Sequence, residues 1–264
     1  MTARREPTTR ARTVTEKLRI GWLTTGRGAG SYGGLRYVLD AIDGGLPVEI
    51  AVVFVNRDRG EYEATDALLA MADERGIPVE ALSSVRFRKV RGGTRSKPGE
   101  GLPVWRQEFD AAVAERLRGY DISLGLLFGY MLITTAPLHS GFTLINDHPA
   151  LPEGPTGTWQ EVIEELIRTG ARESGCLMHL VTEDLDRGPV VSWCRYSIAD
   201  VVASTGEADI RATAAFAEIR RRGVEREQPF LVETLRAVAE GRLAIPPEKA
   251  IDLTAEVERA VAAD

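Results

Sequence analysis

Two short stretches hold the side chains with the most chemistry. The first, residues 142–151, reads Phe142-Thr143-Leu144-Ile145-Asn146-Asp147-His148-Pro149-Ala150-Leu151. An apolar run short enough for one buried strand ends in Asn146 and His148, and Pro149 follows at once. Proline has no N–H and drives the residue before it toward extended backbone, so the strand stops there. An amide and an imidazole are left at its carboxyl end, where open α/β sheets place their ligands. The second stretch, Gly175-Cys176-Leu177-Met178-His179-Leu180-Val181, leads into Thr182-Glu183-Asp184-Leu185-Asp186-Arg187-Gly188-Pro189. An amide, two imidazoles and carboxylates can therefore converge on one cleft.

One Asn, one His and one Asp without a metal suit acyl transfer from an activated donor to an amine. The tetrahedral intermediate needs a hydrogen-bond donor for its oxyanion, which an Asn amide supplies. The attacking amine must lose a proton and the leaving nitrogen must gain one, a task for His near neutral pH. Each residue also has a plainer reading. A His beside an apolar strand often does no more than pack, and His179, enclosed by Leu177, Met178, Leu180 and Val181, reads that way. Asp186 stands in an Asp-x-Gly-Pro turn that an Asx-turn alone would explain. His148, His179 and a carboxylate could bind zinc, but no His-x-x-x-His or Cys-x-x-Cys spacing supports it, and no metal is expected. Gly-x-Ser-x-Gly, the elbow of a Ser-His-Asp hydrolase, is absent.

A glycine pattern, Gly28-x-Gly30-x-x-Gly33, follows an apolar run and precedes a helical one. Glycines there let backbone approach a phosphate at a helix N-terminus. The acidic residue that a dinucleotide site wants after the second strand is replaced by Asn56, so anion binding is favoured over a nicotinamide cofactor. The segment 86–97 carries Arg86, Arg88, Lys89, Arg91, Arg95 and Lys97 and reads as a solvated loop, with a basic lid over an anionic substrate as the alternative.

The elements that position these residues alternate. Leu18–Thr24, Val48–Val55 and Ile77–Leu82 read as strands, with helices over Leu35–Ile42 and Ala64–Arg75 between them. Strand–helix–strand order implies a parallel sheet with right-handed crossovers. Further on, Glu108–Leu117 reads as a helix, Asp121–Leu127 as a strand and Gln160–Arg168 as an amphipathic helix. Cys176–Val181 and Val190–Ile198 read as an antiparallel pair, followed by separate helices over Ala208–Arg221 and Pro229–Ala239. The expected fold is α/β and Rossmann-like, a mostly parallel central sheet with helices on both faces. Residues 1–18 read as a disordered arm, 19–245 as the domain and 246–264 as a helical tail after Pro246-Pro247.

With 264 residues and a net charge of −6, the chain can bury a sizeable core and is not a general nucleic-acid binder. Cys176 and Cys194 are too few for a disulfide framework, which suits a reducing cytoplasm, and no apolar run is long enough to span a membrane. The abundance of Arg over Lys suggests a bacterial genome rich in G and C.

These motifs together resemble the folate-dependent formyltransferase family, and within it the branch that formylates glycinamide ribonucleotide. Its Asn-x-His-Pro-Ser-Leu is matched by Asn146 to Leu151, and its Gly-x-x-x-His with an Asp seven residues beyond by Gly175, His179 and Asp186. Phe128-Gly129-Tyr130-Met131 is similar to an Ala-Gly-Phe-Met turn, and Glu227 through Leu243 to the family's last helix. The resemblance implies catalytic Asn146, His148 and Asp186, with 10-formyltetrahydrofolate as donor. Folate would lie against Tyr130, Met131, Leu132 and Ile133 and against Thr182, Glu183 and Asp184. Gly26, Arg27, Gly28, Ala29, Gly30 and Ser31, with Glu227, would hold the acceptor. The loop departs from the family's Gly-Asn-Gly-Ser-Asn, which puts the identity of the acceptor in question. Rival readings are a formyltetrahydrofolate hydrolase, which usually carries an N-terminal regulatory domain, and a non-catalytic nucleotide- or folate-binding module. Only small-molecule partners are expected, and a homodimer is one option for assembly.

Overall fold

The computed structural model describes residues 17–96, 100–202 and 210–263. The expected arm before Lys17, Lys97 of the basic segment and the start of the helix expected from Ala208 lie outside the described residues. The first half of the chain forms β1 (Leu18–Thr24), α1 (Ala29–Asp43), β2 (Val48–Val55), α2 (Glu63–Glu74), β3 (Val79–Ala81), α3 (Ser84–Val90), α4 (Trp105–Leu117) and β4 (Leu124–Leu127). There follow α5 (Ala136–His139), β5 (Leu144–His148), α6 (Trp159–Arg168), β6 (Glu173–Leu180) and β7 (Val190–Ser197). Last come α7 (Ala199–Val202), α8 (Ala214–Ala239), β8 (Ile251–Asp252) and α9 (Thr254–Val261).

Among the described residues the strands form one sheet of order β3-β2-β1-β4-β5-β6-β7-β8. It is parallel from β3 to β5, and β6 then runs antiparallel to both β5 and β7. Strand alternation sorts the core into two layers. Ile20, Trp22 and Ile145 meet Leu35 and Val38 of α1, Leu68 of α2 and Phe230 and Leu231 of α8. On the opposite face Leu23, Phe54 and Leu144 meet Phe109 and Val113 of α4 and Leu138 of α5. This is the expected α/β architecture, and the parallel strands formed where their apolar runs stood.

Several elements differ from expectation, and the following bear most on the fold. Helix α1 begins at Ala29, not Leu35, because extended Gly28 caps it and its carbonyl accepts from Ser31 N at 3.1 Å. Ala29, Gly30 and Ser31 are thus the first turn of a helix. Part of the basic segment is helix α3, capped by Ser83, whose Oγ accepts from Arg86 N at 3.0 Å. Its charge is spent locally, Arg86 on Asp58 at 2.7 Å and Arg91 on Glu108. Helix α8 runs unbroken through buried Pro229. An interior proline costs about 3 kcal/mol, and burial of Phe230, Leu231 and Leu235 beside it offsets that cost. Finally, the tail expected over 246–264 joins the sheet and core through its described residues. Ile251 and Asp252 pair with Ser192 and Trp193, and Val257 of α9 is buried in the first core layer, because this apolar edge would otherwise face water.

Helix α1 lies close to the segment after β4. A Cβ on Gly34 would stand 2.2 Å from a ring carbon of Phe128, which itself packs 5.4 Å from Trp22. Gly34→Ala is therefore expected to destabilise the fold by about 1–3 kcal/mol, read as a lowered denaturation midpoint at unchanged m-value. An unchanged midpoint would show that the contact yields freely.

Candidate active site

Strand β1 has β2 on one side and β4 on the other, so the chain direction across the sheet reverses there. Such a switch point opens a crevice at the carboxyl ends of the strands. The segments after β1 and β4 are stitched together across it. Thr25 N donates to Gly129 O at 3.0 Å, and Met131 N donates to Thr25 Oγ1 at 2.9 Å. Asn56, at the end of β2, is fully buried and donates to Thr25 Oγ1 at 3.1 Å. It braces the turn where a dinucleotide site would carry an acid.

One strand further, β5 brings Asn146 and His148 to the same face, and antiparallel β6 sets His179 directly opposite Asn146. His179 Nδ1 lies 3.0 Å from Leu180 O, a group that can only accept, so the ring proton sits on Nδ1. Nε2 then accepts from Asn146 Nδ2 at 3.2 Å. Asp186 Oδ1 stands 3.7 Å from the same Nε2, too far for a hydrogen bond and fitting two acceptors side by side. Burial holds His179 below the ordinary imidazole range, aided by the nearby His148, while its bond to Leu180 O and the Asp186 charge oppose it. His148 is buried as well, and its Nε2 lies 2.9 Å from Pro155 O, so Nε2 carries the ring proton and the lone pair is on Nδ1.

The backbone spends strain to bring Asp186 back over this face. Its φ is +55°, a left-handed conformation that Asp tolerates better than most residues. Gly188 follows because a Cβ there would stand 1.8 Å from Leu180 O. Within the turn Thr182 Oγ1 donates to Asp184 O at 3.3 Å, while Glu183, Asp184 and Leu185 are exposed.

The segment 130–135 after β4 is held from below by helix α4. Asp110 accepts from Thr135 N at 2.6 Å and from Thr135 Oγ1 at 2.8 Å, and buried Arg106 donates to Ile133 O. Tyr130 turns into the second core layer and leaves its hydroxyl unpartnered, whereas Met131 and Ile133 are exposed. Leu132 packs partly against the same layer.

The glycine turn exposes backbone at the start of helix α1. Gly26 has φ +68°, and its carbonyl accepts from Thr65 Oγ1 at 3.1 Å. Helix α1 has no side-chain cap and no acid in its first turn; Ser31 N donates to Gly28 O, and no side chain caps the N–H groups of Ala29 and Gly30 ahead of it. The space beside Gly28 and Gly30, where a Cβ would sit, is open. Arg27 lies over the Tyr62 ring at 4.9 Å, and its charge adds to burial in holding Arg57 below the ordinary guanidinium range.

The structure thus brings Asn146, His148 and Asp186 together around His179. That histidine is a packed residue as its neighbours suggested, and also the partner of Asn146. Its register opposite Asn146 could not be read from either segment alone. Glu227 is elsewhere: on α8 it pairs with Arg220 at 3.0 Å and influences Asp147, on the other face of the sheet. Among the described residues no three His, Cys, Asp or Glu side chains gather as a metal site would require.

His179 gives a pH signature. An imidazole depressed by folding binds its proton more readily in the unfolded chain, so stability falls as pH drops through about 6.5. His179→Gln is expected to flatten part of that fall in melting temperature, and an unaltered profile would mean that His179 does not resist protonation.

Comparison with known proteins accounts for this arrangement. The profile of the formyl transferase family matches residues 30–218. The trifunctional purine biosynthetic protein adenosine-3 of Homo sapiens is 25% identical over 179 residues, 67% of this chain but 15% of that protein. The chain therefore spans only a small part of that relative's length. Phosphoribosylglycinamide formyltransferase of Haemophilus influenzae is 29% identical over 201 residues, 72% of this chain and 80% of that one. The crystal structure of glycinamide ribonucleotide transformylase 1 from Symbiobacterium toebii superposes with a TM-score of 0.64 at 26% identity, covering 89% of this chain and 92% of that one. With the family profile spanning most of its sheet and its Asn-x-His and Asp-x-Gly-Pro motifs meeting in one crevice, the chain belongs to the formyl transferase family.

Proposed function

We propose that this protein moves a formyl group from N10 of 10-formyltetrahydrofolate to the primary amine of a small anionic acceptor, glycinamide ribonucleotide or a relative. The meeting of Asn146, His148 and Asp186 at the end of β5 carries this reading. Asn146 spends one amide N–H on His179 and has a second for the formyl oxygen, where negative charge builds as the amine attacks. The new C–N bond forms and the carbonyl becomes tetrahedral. The attacking nitrogen then loses a proton and N10 gains one, carried by His148 through Nδ1. The C–N10 bond breaks, giving a formamide and tetrahydrofolate. Asp186 offsets the positive charge that develops beside it.

The surroundings fit both substrates. Exposed Met131, Ile133 and Leu185 offer apolar surface to a flat ring. The turn 26–28 with Ala29, Gly30 and Ser31, reinforced by Arg27, suits the acceptor's anionic group. Two free buried thiols, Cys176 and Cys194, fit a reducing cytoplasm.

A formyl-release assay tests the reading. Purified protein receives 10-formyltetrahydrofolate with and without glycinamide ribonucleotide, and tetrahydrofolate is followed. Release that requires the ribonucleotide is the expected result, whereas release without any amine would indicate a hydrolase and binding without release a non-catalytic module. His148→Ala should lower turnover by about 10²–10⁴-fold at unchanged donor affinity and melting temperature. Unfolding of that variant would return His148 to a packing role.

Gly30 offers a second check. Alanine in a helix is better than glycine by about 1 kcal/mol, and the site is open. Gly30→Ala should raise the melting temperature while weakening the acceptor. A variant stabilised with full acceptor affinity would remove the anion from this turn.

A further inference from the structure

Between Asn146 and His148 stands Asp147, which the mechanism above does not use. Strand alternation sends it to the opposite face, the face on which its neighbour Ile145 packs with Leu35 and Val38 of α1 and Phe230 and Leu231 of α8. An acid is unexpected there. Its Oδ1 is buried and has no hydrogen-bond partner. Burial first, then the Glu227 charge, hold Asp147 well above the ordinary carboxyl range, with Arg220 pulling the other way. Arg220 cannot complete it, being spent on Glu227 at 3.0 Å and stacked over Trp159 at 4.6 Å.

This face is also where the glycine turn leads. Helix α1 starts from the glycine turn and packs along α8, where Gln228, next to Glu227, reaches to 2.7 Å from the place of a Cβ on Gly33. Glycine turn, Asp147 and Glu227 therefore share one side of the sheet, with Asn146 and His148 on the other. A molecule whose anion sits at Gly28 and whose amine approaches β5 would meet Asp147 on the way. Near neutral pH a primary aliphatic amine is largely ammonium, a cation with three N–H donors.

We propose that Asp147 is a specificity residue that receives the acceptor's ammonium group on the α1–α8 side of the sheet and so selects primary aliphatic amines. This rests on the formyl-transfer reading. The carboxyl costs the free protein stability because its oxygen lacks a partner, and the incoming cation supplies one. A structural acid would show the reverse, with a partner already in place.

The test uses full-length protein, 10-formyltetrahydrofolate and glycinamide ribonucleotide, with the variants Asp147→Asn and, should that fail to fold, Asp147→Ser. Loss of a charge-assisted hydrogen bond should raise the acceptor KM by about tenfold or more. Donor affinity should be unchanged and the melting temperature equal or higher. An acceptor KM unchanged in a working enzyme overturns this inference alone, as does a KM that rises only together with a lowered melting temperature. Absence of turnover with the ribonucleotide in the wild type overturns the formyl-transfer reading of this acceptor and the inference with it.

Discussion

The hydrogen bond from Asn146 to His179 fixes the geometry of the site, and it exists because the sheet changes direction between β5 and β6. Antiparallel pairing sets Asn146 opposite His179. A slip of one residue would send Asn146 and His148 to the α1–α8 face and Asp147 into their place. The register is pinned from both sides, since Ile145 and Leu144 are each buried in a different core layer. Neutral His179, held by Leu180 O, then offers Asn146 an acceptor and never a donor. The geometry of the site is in this sense a by-product of hydrophobic register.

Around that bond the protein keeps several features that cost stability. Asp186 has a positive φ without being glycine, Gly30 occupies a helical turn where alanine would be better, and Asp147 buries an oxygen with no partner. All three lie at the crevice or next to its residues. By contrast, the Asp110 carboxylate and the Asn56 amide beneath the crevice are paired. Asp110 spends one carboxylate oxygen on both polar groups of Thr135, and Asn56 closes on Thr25. The loop after β4 is thereby held without depending on a ligand.

Much of this was legible in the sequence where the signal is local. The β-branched run from Val48 to Val55 could hardly be other than a buried strand, and Pro149 marked the end of β5. The family motifs located the crevice because their residues recur at fixed spacing. What escaped was non-local. Nothing near His179 announces Asn146, thirty-three residues away, because strand pairing is decided by the whole sheet. Pro229 suggested a helix start, yet burial on either side of it carried α8 through. The strand Ile251–Asp252 is too short to signal itself and forms only because β7 offers an edge. Ser83 before Arg86 was a visible cap signal for α3, overshadowed by the run of basic residues around it.

The most direct measurement is ¹⁵N NMR of the His179 ring in the folded protein. The expected result near neutral pH is a neutral imidazole with its proton on Nδ1 and an unprotonated, hydrogen-bonded Nε2. Asn146→Ala should then move the Nε2 resonance and leave Nδ1 in place. A proton on Nε2, or a charged ring at that pH, would turn the imidazole toward Asp186, leave the Asn146 amide without its acceptor and contradict the arrangement on which the site depends.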